Sequence, residues 1–293
     1  MKAIVKLTKV AQMMGLIALV AMCFGLNSLK AAEQKGKINV ISREDGSGTR
    51  GAFVEIFGLL ESKNGKKIDT TTLKAEITNS TAVMLQSIAK DKNAIGYVSL
   101  GSLKSMVKGV QIDGVEPSVA NIKIKKYTIS RPFNVVTKGL SGDKLALVRD
   151  FLDFSKANAE VISKAGYIPL DVKKVTSKKL NGKIVVAGSS SITPLMEKLK
   201  ESYKAQNPSV EIEILQSDST TGINSILQGI ADIGMVSREL KESELSTGLK
   251  AEVLAIDGLA VIVNPQSKIT SLSKTQVKEI FSGKTTKWED LGK

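Results

Sequence analysis

The stretch "SREDGSGTRGAF", Ser42 to Phe53, gathers glycines, hydroxyls and two arginines directly after the apolar run "INVI". If a helix starts at this turn, its first N–H groups lack intrahelical partners and carry partial positive charge, which suits an anion. Glycine lets the backbone approach closely, hydroxyls add donors, and each hydrogen bond to a charged group contributes about 1.5–3 kcal/mol. The turn alone does not separate a phosphate cradle from a plain helix cap, because Ser, Thr, Asp and Gly are common N-caps. No G-x-x-x-x-G-K-[ST] motif occurs, so a P-loop nucleotide site is not supported.

Three more turns share this grammar. The strand "GKIVVAG" leads through "SSSIT" into a helix beginning at Pro194, in which Leu195, Met196, Leu199 and Tyr203 fall on one face. "VEIEILQ" leads through "SDSTT" into "GINSILQGI", and "ADIGMVS" leads into "RELKES". In open α/β sheets, ligands collect beyond the carboxyl ends of strands, where helices begin. Converging turns of this kind would hold a tetrahedral oxyanion without a metal or cofactor.

The elements that position these turns follow from periodicity. "STAVMLQSIAKDK" and "SGDKLALVRDFLDFSKAN" predict helices, "AIGYVSL" a strand, and "EVLAIDGLAVIVNP" a strand pair or one long strand. "SLSKTQVKEIFSG" predicts a capped helix ending at Gly283, and the polar "DVKKVTSKKLNGK" a linker. Strands alternating with helices predict an α/β fold with mainly parallel sheets, in two compact units for a chain of 293 residues.

Composition narrows the chemistry. The chain has no histidine, and its one cysteine, Cys23, lies in the N-terminal apolar segment. The body therefore lacks Cys/His nucleophile pairs, thiolate or imidazole metal sites and disulfides, which argues against an enzyme. The formal charge is +13, but the lysines are dispersed and aromatics are few, so a solvated surface is favoured over nucleic-acid binding. Lys2, Lys6 and Lys9 precede "MMGLIALVAMCFGL", a charged region followed by an apolar run shorter than a membrane span, as in an export signal over residues 1–31. Lipidation at Cys23 and ordinary cleavage near Ala31 or Ala32 both stay open, so the product is either lipid-anchored or free outside the cytoplasm.

The segments "GSSSITPLMEKLKESY", "STTGINSILQGIADIGMVSREL", "DGLAVIVNP", "EIFSGKTTKWEDLG", "SREDGSGTRGAF", "AIGYVSLG", "YTISRPFNVV" and "GYIPL" resemble those of phosphate-binding proteins of ABC transporters. The resemblance implies a two-lobed type II periplasmic-binding-protein fold. Its order is rotated: in that family the "GSSS" strand comes first and "GYIPL" last, whereas here "GKINVISREDGSGTR" opens the body and "KWEDLGK" closes it. A circular permutation is implied, with "DVKKVTSKKLNGK" bridging the old ends. With "TISRPFNVV" and "GLAVIVN" as hinge crossings, one lobe comprises residues 36–133 and 264–293 and the other runs continuously over 134–263.

Carried over residue by residue, the resemblance implies Arg43 as the charged donor to phosphate, with Asp45 holding its guanidinium. Ser47, Gly48 and Thr49 donate from the next helix start, Ser190 and Ser191 from the second turn, and Ser219 from the third, where Thr220 is a substitute. At the fourth turn many relatives place an aspartate that accepts from protonated phosphate and so rejects sulfate; this chain has Ser237, then Arg238. Asp218 and Glu239 are alternative carboxylates, and Arg238 is expected to be a solvated helix-start residue.

The expected function is an exported, monomeric receptor that captures inorganic phosphate between its lobes and delivers it to a membrane permease. The alternatives are a receptor for sulfate, molybdate or a small organic anion; a secreted serine hydrolase or phosphatase using a Ser/Lys pair; and a basic adhesin or nucleic-acid binder. Trp288, the only tryptophan, falls in the lobe assembled from both ends of the chain and is expected to report closure.

Overall fold

The computed structural model describes residues 34–291 apart from 64, 174 and 176. The expected export signal and Cys23 lie outside the described residues. In chain order the first half comprises β1 (Asn39–Arg43), α1 (Gly48–Ile56), β2 (Leu60–Lys63), β3 (Lys66–Asp69), β4 (Glu76–Thr78), α2 (Thr81–Lys90), β5 (Ala94–Ser99), β6 (Lys108–Gly109), β7 (Gln111–Ile112), α3 (Val119–Lys123), β8 (Ser130–Thr137), α4 (Gly142–Ala157) and α5 (Ala159–Lys164). After the linker come β9 (Gly182–Ser189), α6 (Thr193–Lys204), β10 (Val210–Ser217), α7 (Ser219–Leu227), β11 (Ile233–Val236), α8 (Glu242–Leu245), β12 (Lys250–Val263), β13 (Ser271–Leu272) and α9 (Lys274–Phe281).

The main sheet runs β10-β9-β11-β8-β12-β5-β1-β4, with β6 added beside β12. Its two flanks are parallel, as strand–helix alternation predicts, but its centre is antiparallel: β8 pairs with β11 and β12, and β12 pairs with β5. The apolar run from Val253 to Val263 is thus one continuous strand, not a pair. Its first part, Lys250–Gly258, pairs with β8, and its last part, Leu259–Val263, with β5.

Two cores lie on either side of this crossing. One packs Ile38–Ile129 side chains with Leu259–Trp288, the other packs Phe133–Ala255 side chains. The change-overs thus fall between Ile129 and Phe133 and between Ala255 and Leu259. Leu259–Val263, grouped by sequence with the second unit, pack in the first. The first unit is assembled from both ends of the chain: Ile38 N–H donates to Thr286 O at 2.8 Å, and Trp288 N–H to Gly36 O at 3.0 Å. Trp288 is fully buried in that unit's core.

Local signals explain the helices. In α6 the apolar stripe Leu195, Met196, Leu199 and Tyr203 is wholly buried, and Pro194 occupies the first turn. Ser80, Ser273 and Asp218 cap α2, α9 and α7 by accepting from Val83, Gln276 and Thr221 N–H. The fourth junction differs from its expected form. The helix starts late: Ser237–Lys241 are irregular, and the single turn of α8 begins only at Glu242, within "RELKES". Among the described residues, no helix is long and apolar enough to cross a membrane.

Candidate functional site

Arg43 ends β1, a strand held between β4 and β5, so its guanidinium leaves the sheet at the carboxyl edge. Its backbone N–H donates to Tyr97 Oη at 3.2 Å, and Ser42 Oγ lies 2.8 Å from the same hydroxyl. Burial pushes the Tyr97 phenol up to about 12, so it stays protonated and fixes the end of β1. The guanidinium is buried and makes a bidentate pair with Glu44: Nε to Oε2 and Nη2 to Oε1, both 2.7 Å. Here the expected role of Asp45 is corrected. Asp45 is almost fully exposed and pairs with Arg50, while the adjacent Glu44 reaches back along the chain to hold Arg43.

The glycine turn brings the two units together. Ser47 caps α1, accepting from Arg50 N–H at 3.3 Å, which sets Gly48 and Thr49 as the buried first turn of that helix in the interface. A Cβ on Gly48 would lie closer than 3.0 Å to Ser219 Oγ and Ser237 Oγ of the other unit, and one on Gly46 would collide with the Asp218 carboxylate. Only glycine allows this approach. Thr220 donates through both its N–H and its hydroxyl to Gly46 O, each at 3.2 Å. Thr220 therefore ties the turns together, and its hydroxyl is spent on that carbonyl.

The turn after β9 completes the ring. Arg43 Nη2 donates to Ser190 Oγ at 3.1 Å, Thr81 N–H reaches the same oxygen at 3.3 Å, and Thr49 Oγ1 lies 3.2 Å from Ser191 Oγ. Ser219 Oγ accepts from Ser237 N–H at 3.0 Å and lies 3.4 Å from Ser237 Oγ. Arg43, Ser47, Thr49, Ser190, Ser191, Ser219 and Ser237 are all buried. The hydroxyls and N–H groups converge from helix starts and strand ends of both units around the Arg43 guanidinium, with that of Arg131 beside them. Such a set suits an oxyanion.

Three side chains of the site escape the sequence reading. Thr81, at the start of α2, lies 3.3 Å from Ser190 Oγ through its hydroxyl and 3.4 Å from Arg43 Nη1. Arg131 on β8 and Asp257 on β12 form a buried ion pair across the two crossing strands, Nε to Oδ2 at 3.1 Å and Nη2 to Oδ2 at 3.0 Å. Arg131 also donates to Ser237 O at 2.8 Å and Ser191 Oγ at 3.3 Å, and Ser99 donates to Asp257 Oδ1 at 2.8 Å. Burial pushes the Asp257 carboxyl up and the Arg131 guanidinium down, and their mutual attraction opposes both. A signal for the pair was present: each is a lone charge inside an apolar strand, a placement that persists only when paired.

Arg238 is likewise not solvated. It is buried, makes a bidentate pair with Glu244 at 2.8 and 2.7 Å, and reaches Thr220 Oγ1 at 3.4 Å. Glu239 is exposed, and Asp218 spends both oxygens on Thr221. No group of His, Cys, Asp and Glu that could hold a metal ion occurs among the described residues.

The sequence profile of the PBP superfamily domain matches residues 26–158 and 174–293. The chain is 54% identical over 274 residues, 92% of each chain, to the phosphate-binding protein PstS 2 of Streptococcus agalactiae. It is 42% identical to phosphate-binding protein PstS 2 of Streptococcus pneumoniae, over 97% of this chain and 99% of the other. A crystal structure of a phosphate ABC transporter phosphate-binding protein from Streptococcus pneumoniae matches with a TM-score of 0.67 at 43% identity, covering 87% of this chain and 100% of that one.

Proposed function

The chain belongs to the PBP superfamily, and from that premise we propose that it is an extracytoplasmic receptor that captures inorganic phosphate between its two lobes for an ABC-transporter permease. The observation that carries this reading is the ring itself: Arg43, Ser47, Gly48, Thr49, Ser190, Ser191, Ser219 and Ser237, drawn from both units, meet at one buried interface. Capture needs donors and enclosure but no bond making. Among the described residues, the hydrogen-bond partners of these hydroxyls are other hydroxyls, arginines and backbone N–H groups, with no lysine to act as a base, which favours a receptor over a Ser/Lys hydrolase.

The two units meet across a crossing of β8 and β12, the geometry of a hinge. Opening would part Thr49 from Ser191, Arg43 from Ser190 and Thr220 from Gly46; an anion seated in the ring would hold them together. The closed form is then the shape a permease recognises, and the receptor acts as a monomer. The family order is rotated in this chain, and the pairing of Gly36–Ile38 with Thr286–Glu289 supports a circular permutation that opened the chain between segments that still lie side by side.

Titration calorimetry with phosphate tests the reading. Saturable phosphate binding that is lost in Arg43→Ala supports it; absence of heat with phosphate and with other oxyanions would sink it.

A further inference from the structure

A guanidinium has donors and no acceptor, so any hydroxyl it touches must accept. Arg131 Nη2 lies 3.3 Å from Ser191 Oγ and so occupies a lone pair of that hydroxyl. Ser189 Oγ donates its one proton to Ser237 Oγ at 2.9 Å, so Ser191 Oγ, 3.0 Å from Ser189 Oγ, donates to Ser189. Ser237 has then accepted and keeps its own proton to give. Ser237 N–H donates to Ser219 Oγ, and Arg43 Nη2 and Thr81 N–H both donate to Ser190 Oγ. The hydroxyls of Ser190, Ser219 and Ser237 thus have acceptor sides engaged by protein donors and protons available to a ligand, while the proton of Ser191 goes to Ser189.

Among the described residues, the carboxylates that flank these hydroxyls are already engaged. Glu44 is held by Arg43, Asp257 by Arg131 and Ser99, Glu244 by Arg238, and Asp45 and Asp69 by Arg50. Asp218 caps α7. The Tyr97 phenol is protonated and committed to the end of β1, and Tyr167 Oη, also kept protonated by burial, lies 3.5 Å from Ser191 O.

We propose that Arg131, clamped by Asp257, is a positioning residue that turns the hydroxyl chain Ser191–Ser189–Ser237 into donors, so that the site favours tetrahedral oxyanions with few protons of their own. This rests on the phosphate-receptor reading and names its ligand class. Sulfate, with no proton to place, fits the ring, and the dianion of phosphate fits better than the monoanion, whose extra proton finds no acceptor. The cost of a donor facing a donor is that of an unmade hydrogen bond in a desolvated site.

The test is titration calorimetry of the protein with phosphate on both sides of phosphate's second ionisation, with and without excess sulfate. It is repeated on the double variant Arg131→Met/Asp257→Asn, which removes both charges and leaves no unpaired buried ion. The expected result is phosphate affinity that rises with pH and sulfate that displaces phosphate. In the double variant sulfate affinity falls about tenfold more than phosphate affinity, because hydroxyls freed from Arg131 turn to accept. Equal losses for both anions in the variant would reduce Arg131 to a structural role and overturn the inference. Phosphate binding indifferent to sulfate and to pH would overturn it and leave the receptor reading intact; no binding of either anion would overturn both. The wild-type arms decide the matter even if the variant does not fold.

Discussion

An anion held without a metal depends on donors whose positions do not wait for the ligand. Arg43 meets that need because Glu44 grips two of its nitrogens, which fixes the plane of the guanidinium and leaves its outer edge for the ring. Arg43→Ala should weaken phosphate binding at least ten- to hundredfold, from the loss of about 1.5–3 kcal/mol per charge-assisted bond, as calorimetry would measure. Gly48→Ala should be as damaging for a different reason. Its methyl would occupy the space between Ser219 and Ser237, so binding should vanish while the thermal unfolding of each unit persists. Retained affinity in Gly48→Ala would mean that the units meet differently when loaded. At this scale the hydroxyl turns and Arg43 were legible because their chemistry is local to each motif. The Glu44 pairing was not, since adjacent acids in "REDG" differ only in the direction the backbone gives them. Arg131, Asp257 and Thr81 were missed because they act across elements far apart in sequence.

Helices with a stripe and a cap were readable, as α6 and α9 illustrate: period and capping residue sit in one continuous segment. The segment after β11 was not, because its backbone and side chains are committed elsewhere. Ser237 N–H goes to Ser219, Ser237 O and Arg238 O accept from Arg131 and Asn134, and Arg238 stretches to Glu244. Those bonds replace a helix's own. Burial alone would raise the Glu244 carboxyl, but hydrogen bonds from Arg238 and Lys241 N–H hold it below the ordinary glutamate range. A depressed acid contributes stability that is complete above its unfolded value and is lost as pH falls through its folded value. Glu244→Gln should therefore cost about 1–2 kcal/mol near neutral pH, and the difference from wild type should shrink in acid. Thermal melts across pH check this; a difference constant with pH would mean that the pair does not carry the effect.

Across the whole molecule, the organisation rests on one long strand and two neighbouring ends. A run such as Val253–Val263, apolar but for Asp257, fits one buried strand in a single core as well as one shared by two, so the sequence left the choice between a strand pair and a shared strand open. The ends are more informative. Gly36 N–H donates to Glu289 Oε2 at 2.8 Å, Lys37 bridges Lys287, and Ile38 pairs with Thr286. These contacts are antiparallel, the geometry that a short loop could close. The region from Asp171 to Asn181 carries no helix or strand among its described residues. Joining residue 291 to residue 34 by a short flexible linker and opening the chain within that region would exchange one loop for another. Loop closure entropy changes by only about 0.6 kcal/mol per doubling of length, so the two chain orders should differ little in stability. The reordered protein should fold with Trp288 still buried, as its emission would show, and bind phosphate within about threefold of the original order. A reordered chain that folds but no longer binds would mean that the present order tensions the β8–β12 crossing. One that fails to fold would mean that the paired ends are a consequence of folding in the present order and not a junction that tolerates either.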